Sequence, residues 1–164
     1  MVSTLANMLT RWILVGARTR LEVVSDETSE AIGALVVDRC VLLAHRSPNK
    51  RAYPGVWDLP GGVVEAGESE LEALSRELRE ELGITMAMTS VLLLDRVVAG
   101  SAEDPAQISA WLVRSWRGTP ENLALDEHVA IGWFDMDQLP PLAHRSVHRA
   151  LVNAMQGRFP TSTL

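Results

Sequence analysis

Glu77, Glu80 and Glu81 stand three and four residues apart in a stretch whose leucines mark it as a helix. At about 100° per residue the three carboxylates fall within an arc of about 100°, some 110° from the stripe of Leu71, Leu74, Leu78 and Leu82. Like charges at these spacings repel, costing a helix on the order of 0.3 kcal/mol per pair. Such a face is either a solvated acidic surface, with Glu72 and Arg76 as an ordinary pair, or a divalent-cation site. Clustered carboxylates bind Mg²⁺ or Mn²⁺ through oxygen, and the cation offsets the repulsion. The segment in front favours the second reading. Gly61, Gly62, Gly67 and Glu68 form a glycine-rich turn leading into the helix, where backbone groups can approach a metal or a phosphate closely.

The elements that must carry these residues follow from the pattern around them. AIGALVV (31–37) and CVLLAH (40–45) are β-rich runs separated by Asp38-Arg39, the spacing of a tight hairpin. Residues 46–62, dense in Pro, Gly and Asn, predict a long shaped loop with one short strand near Trp57 to Leu59. Loops of that length inside a compact domain tend to be functional. Ser69 and Glu72 make a capping box that starts the acidic helix, and Gly83 ends it. MTSVLLLDRVV (88–98) and QISAWLVRSW (107–116) predict strands, the second apolar on both faces and therefore central in its sheet. AIGWF (130–134) predicts a shorter strand and RSVHRALVNAM (145–155) a closing helix. Strands flanked by helices make an α/β layered domain over residues 31–164. Residues 1–30 are an N-terminal extension of uncertain structure, in which SDETSE (25–30) reads as a loop.

A chain of 164 residues builds one core and leaves no room for a second sizeable domain. Against 21 Asp and Glu stand only 15 Lys and Arg, a net charge of −6, so neutralising the phosphates of a nucleic-acid polymer is not its work. Cys40 is the single cysteine, which excludes an internal disulfide and a multi-cysteine zinc site and fits a reducing compartment. Trp12 to Ala17 is apolar but too short for a signal-peptide core or a membrane span. The expectation is a cytoplasmic protein without a membrane partner.

The run GGVVEAGESELEALSRELREELGI matches the pattern G-x5-E-x7-R-E-U-x-E-E-x-G-U, U being aliphatic, at Gly62, Glu68, Arg76, Glu77, Leu78, Glu80, Glu81, Gly83 and Ile84. With ordinary residue frequencies a chance match is on the order of one in a billion per start position. In this run the chain resembles the Nudix hydrolases, and the strand order extends the likeness over roughly residues 31–155. The resemblance implies a Nudix-type α/β/α sandwich with a mixed β-sheet, Mg²⁺ dependence with Mn²⁺ as a substitute, and hydrolysis of a nucleoside diphosphate linked to another group. It implies Glu77, Glu80 and Glu81 as metal ligands, Glu68 in support, and the Gly61 carbonyl completing the set. Arg76 matches the arginine that orients the glutamates, a task that suits its fork.

A general base is also implied, taken in some relatives from the box and in others from a later loop. Here Glu127 is the later candidate, with Glu121 and Asp126 behind it; its plain alternative is a solvated loop acid. The W-x-LPGG segment (Trp57 to Gly62) and the WF-x-x-D-x-LP segment (Trp133 to Pro140) resemble MutT-type nucleoside triphosphate pyrophosphohydrolases, which implies release of a monophosphate and pyrophosphate. Arg46, Tyr53 and Trp57 are candidates to stack on a base or meet phosphates, Tyr53 and Trp57 being equally readable as loop packing. Trp111 and Trp116 read as core, and His144 and His148 as surface positions on the closing helix. Bacterial MutT reads oxidised guanine with an asparagine after its double proline; Leu142 and Ala143 stand in that neighbourhood here and cannot make the contact. Hydrolysis of ADP-ribose or another nucleoside diphosphate derivative is the alternative activity, and a non-catalytic nucleotide-binding module the alternative class. A monomer and a homodimer are both compatible with the sequence.

Overall fold

A strand whose residues are apolar at every position must be covered on both faces. In the computed structural model, which describes residues 28–158, strand β1 (Thr28–Val37) is such a strand from Ala31 onward. Ala31 and Leu35 point into one apolar cluster, Ile32, Ala34 and Val36 into another. Asp38 closes the hairpin into β2 (Cys40–Arg46) with a φ of 52°, a left-handed conformation that aspartate tolerates better than most residues. Two short strands follow the long loop, β3 (Trp57–Asp58) beside β2 and β4 (Gly61–Val63) antiparallel to β1.

Helix α1 (Glu70–Leu82) begins as expected. The Ser69 hydroxyl accepts from the Glu72 N–H, the Glu72 carboxylate accepts from the Ser69 N–H at 2.8 Å, and Gly83 ends the helix at a φ of 69°. Leu74, Leu78 and Leu82 are fully buried against Ala31, Leu35 and Leu42. Gly33 allows this close seating: a β-carbon there would lie 3.1 Å from a Leu74 methyl and 3.5 Å from one of Leu78.

After β5 (Thr85–Met86) the chain makes a 3-10 turn at Met88–Ser90, then β6 (Val91–Gly100) and β7 (Pro105–Val113). β7 lies between β6, antiparallel, and β1, parallel, so its two-sided apolarity has the meaning read from the sequence. β8 (Trp116–Arg117) pairs with β5, and β9 (His128–Asp135) lies along β2. Helix α2 (Arg145–Met155) covers the second face through Val147, Leu151 and Ala154. The result is the expected α/β/α sandwich around a seven-stranded mixed sheet. No helix among the described residues is long and apolar enough to cross a membrane.

Three sequence expectations need correcting. Of the SDETSE loop, Thr28, Ser29 and Glu30 are strand, because Ala106, Gln107 and Ile108 supply a parallel ladder partner. Met88–Ser90 is not strand, since its backbone turns back on itself with the Ser90 N–H and hydroxyl both donating to the Ala87 carbonyl. QISAWLVRSW is broken at Val113, after which Trp116 leaves the main sheet for Met86. The extension as far as residue 27 lies outside the described residues.

Leu78 is the central buried contact of the acidic helix, so Leu78→Ala should cost about 3 kcal/mol in urea unfolding, the usual range for a collapsed-poor core site. A loss under about 1 kcal/mol would contradict the packing described.

Candidate active site

Arg76 organises the acidic end of the sandwich. Its Nε and one terminal nitrogen grip Glu68 at 2.9 and 3.0 Å, and that second nitrogen also donates to the Val63 carbonyl at 2.9 Å. The other terminal nitrogen donates to Glu77 at 2.7 Å and Glu80 at 3.4 Å. A guanidinium has five N–H donors, and all are used. The bidentate grip holds the Glu68 carboxyl below the usual carboxylate range. Gly62 is required beside it, because a β-carbon there would stand 2.7 Å from the Glu77 carboxylate.

Glu81 differs from its neighbours. The residue is only 3% exposed, and its carboxylate accepts from the Gly61 N–H at 3.0 Å. Burial pushes its pKa up to about 8, with repulsion from Glu77 and Glu127 adding to the effect and Gly61 and Lys50 opposing it. Glu77 is raised as well, mainly by burial and against the pull of Arg76. Glu80 is 58% exposed at its side chain and sits at the solvent edge of the face.

Glu127 reaches this cluster because its loop is tied to the end of α1. The Glu121 N–H donates to the Leu82 carbonyl at 3.1 Å and the Leu123 N–H to that of Glu81 at 2.8 Å. Lys50, from the β2–β3 loop, meets Glu127 at 2.8 Å. Behind them His128 is buried, its pKa lowered chiefly by desolvation; Nε2 lies 3.9 Å from Glu81, and Nδ1 has no partner. Glu121 is exposed near the far end of the helix, and Asp126 is exposed as well.

A cavity of about 340 Å³ opens beside Gly61. Arg46, Tyr53, Asp58 and His144 line it together with Glu30 and Ile32. Arg46 donates twice to the Ala52 carbonyl, at 3.2 and 3.0 Å, and the Tyr53 and His144 rings meet edge-on at 5.0 Å. Burial raises the Asp58 pKa to about 6 despite a hydrogen bond from the Leu59 N–H and the charge of Arg46.

Of the residues singled out by sequence, Glu68, Arg76, Glu77, Glu80, Glu81, Gly61 and Glu127 come together, and Arg46 and Tyr53 line the adjoining cavity. Trp57 does not line it: its ring stacks on His45 at 4.8 Å and packs edge-on against Phe134. Half-buried Trp111 and Trp116 pack against the α1-side cluster, as expected. His144 is corrected from surface to cavity wall, because it caps α2 at the sheet rather than riding its outer face. Lys50, Asp58 and His128 carried no signal of their own in the sequence.

The donor set is hard oxygen, which suits Mg²⁺ or Mn²⁺, and a buried carboxylate repelled by two others fits a cation. As the side chains stand, no three His, Cys, Asp or Glu among the described residues converge on a coordination point, Glu68 and Glu77 being drawn onto Arg76 and Glu81 onto Gly61. Binding a cation therefore requires rotation of carboxylates already assembled on one face.

The chain has relatives. The family described as NUDIX domain matches residues 27–155. The sequence is 39% identical over 106 residues to a CTP pyrophosphohydrolase of Escherichia coli (strain K12), covering 63% of this chain and 73% of that protein. It is 46% identical over 54 residues to the nucleoside triphosphatase NudI of Salmonella arizonae, covering 33% of this chain and 38% of that protein. Among solved structures it is similar to a MutT NUDIX hydrolase from Burkholderia pseudomallei, with a TM-score of 0.68 at 32% identity, covering 77% of this chain and 97% of that one.

The buried acid has a measurable consequence. Through the window from about pH 7 to about 8, Glu81 keeps its proton in the folded chain and loses it when unfolded, so stability falls as pH rises. The depressed histidines, His128 and His144, act only at lower pH, and Asp58, raised to about 6, acts mainly below the window. With a chelator present, the melting temperature should drop by about 3 °C between about pH 7 and 8. Excess Mg²⁺ should abolish the drop, and a melting temperature that rises with pH in chelator would refute this account of Glu81.

Proposed function

The chain belongs to the NUDIX domain family, and on that premise we propose that it hydrolyses a nucleoside triphosphate with water to a nucleoside monophosphate and pyrophosphate. The observation that carries this reading is the junction at Gly61, where a buried, repelled carboxylate adjoins a cavity of about 340 Å³, roomy enough to take a nucleobase. In this reading Glu77, Glu80 and Glu81, supported by Glu68 and the Gly61 carbonyl, hold Mg²⁺, with Mn²⁺ able to replace it. The bound cation neutralises phosphate oxygens and makes the phosphorus easier to attack.

The protein's own groups do the rest. Arg76 keeps Glu68 and Glu77 together on one face, so that taking up the cation needs only side-chain rotation and not the gathering of distant segments. Glu127, half-exposed and paired with Lys50, takes the proton of the attacking water as general base. Arg46, Tyr53, Asp58 and His144 hold the base: Tyr53 and His144 offer ring faces and edges, and Asp58 offers a carboxyl that accepts when ionised and donates when protonated. Such an enzyme belongs in the cytoplasm, where nucleoside triphosphates are held, and can act as a monomer because every group named comes from one chain.

A panel of nucleoside triphosphates with Mg²⁺, assayed for pyrophosphate, tests the reaction. CTP comes first because the Escherichia coli relative is named for it. Glu81→Gln should lower kcat by about a thousandfold, or about 4 kcal/mol of transition-state stabilisation. Failure of every triphosphate to release pyrophosphate would overturn the reading, as would full turnover in Glu81→Gln.

A further inference from the structure

We propose that Lys50 receives the distal phosphates of the nucleotide and releases Glu127 as it does so, making arrival of the substrate the event that frees this carboxylate. The proposal rests on the hydrolase reading above and adds a residue and a switch to it.

Hydrogen-bond donors are scarce among the cations of this face. A polyphosphate crossing an acidic face needs cationic side chains with hydrogen bonds to spare. Arg76 has none, since its five N–H groups are spent on Glu68, Glu77, Glu80 and Val63. Arg46 lies on the cavity side and is held by the Ala52 carbonyl. Among the described residues Lys50 has one hydrogen-bonding partner, Glu127 at 2.8 Å, and an ammonium carries three N–H groups, so two remain for other acceptors. Its charge already reaches Glu81, where it opposes the rise that burial imposes on that carboxyl.

The order of groups in space gives Lys50 its position along the substrate. The cavity borders Gly61, the Gly61 N–H holds Glu81, and Lys50 and Glu127 act on Glu81 while lining no part of the cavity. A nucleotide with its base in the cavity and its α-phosphate at the carboxylates therefore extends its β- and γ-phosphates toward Lys50. A single-charge ion pair with side chains 31% and 43% exposed is weak, and a pyrophosphate group presents several charged oxygens to the same ammonium.

The exchange needs only side chains. The Ser47 N–H donates to the Glu127 carbonyl at 2.7 Å, and the Lys50 N–H donates to the Ser47 carbonyl at 3.1 Å, so both backbones are pinned to each other. When Lys50 turns to phosphate, Glu127 stays beside Glu81 and loses its counter-ion.

Titration calorimetry of the full chain with inorganic pyrophosphate and Mg²⁺, and separately with CMP, tests the proposal. Lys50→Met should weaken pyrophosphate about tenfold and Lys50→Arg less than about threefold, with CMP unchanged. Glu127→Gln should tighten pyrophosphate about threefold, because Lys50 no longer has a competing carboxylate. In turnover, Lys50→Met should raise KM with kcat little changed. Exposed Arg51, next along the loop, serves as the control through Arg51→Ala, and Lys50→Gln replaces Lys50→Met should that variant fail to fold. Unchanged pyrophosphate affinity in Lys50→Met, or weakened affinity in Glu127→Gln, would overturn the switch. Because the titration reads binding, it decides on Lys50 even where no triphosphate is hydrolysed, an outcome that would remove the hydrolase reading alone.

Discussion

The saturated guanidinium of Arg76 is the constraint on which the acidic face depends. Glu68 arrives from the glycine-rich turn and Glu77 and Glu80 from α1, and one planar cation holds all of them within hydrogen-bond range together with the Val63 carbonyl. Without it the turn and the helix would present mutually repelling carboxylates with no fixed relation. A lysine offers three donors around a point charge and cannot reproduce the grip on Glu68 while also reaching Glu77 and Val63. The turn obeys the same constraint, since Gly62 has to lack a side chain for Glu77 to lie where Arg76 holds it.

The sheet brings the second half of the site to the first. β1 is the shared element: it pairs with β4 on one side and with β7 on the other, while Gly33 lets α1 rest on its face. Glu81 is buried because α1 lies this close. Its acid group therefore faces inward, to the Gly61 N–H, whereas Glu80, one residue earlier and 100° away, faces water. One helix thus carries carboxylates in two electrostatic environments, a difference that comes from rotation about the axis and not from residue type.

Much of this was legible in the sequence because it is local. The capping box, the leucine stripe, the Gly83 stop and the acidic arc all lie between Ser69 and Gly83, where periodicity decides what faces what. The two-sided apolar runs of β1 and β7 likewise announced a central position. What was not legible depends on contacts between distant segments. Asp58 is an ordinary residue in W-x-LPGG until β3 pairs with β2 and buries its carboxyl against the cavity. His144 read as helix surface because its spacing from His148 is helical, but as the residue that caps α2 it meets Tyr53 instead. Lys50 and His128 become neighbours of Glu81 only because backbone bonds tie the loop before β9 to both α1 and the β2–β3 loop. For Trp57 the sequence left stacking on a base and loop packing equally open, and its indole packs against His45 and Phe134.

The charge balance of the face explains why its acids are tolerated at all. Glu68, Glu77, Glu80, Glu81 and Glu127 stand against Arg76 and Lys50, five negative charges against two positive when all are ionised, a local balance of −3. The folded chain lowers that figure by leaving Glu81 protonated up to about pH 8 and by letting water screen Glu80. A triphosphate approaching such a face is repelled by it, and a side chain already committed to five hydrogen bonds can offer no relief. In the proposed reading, attraction comes from a cation carried in with the phosphates or held by the carboxylates, and from Lys50, whose exposed pairing with Glu127 is weak. An acidic protein can in this way bind a more acidic substrate: the repulsion disfavours anions that bring no divalent cation, and the ionised state of Glu81 becomes favourable only when positive charge arrives.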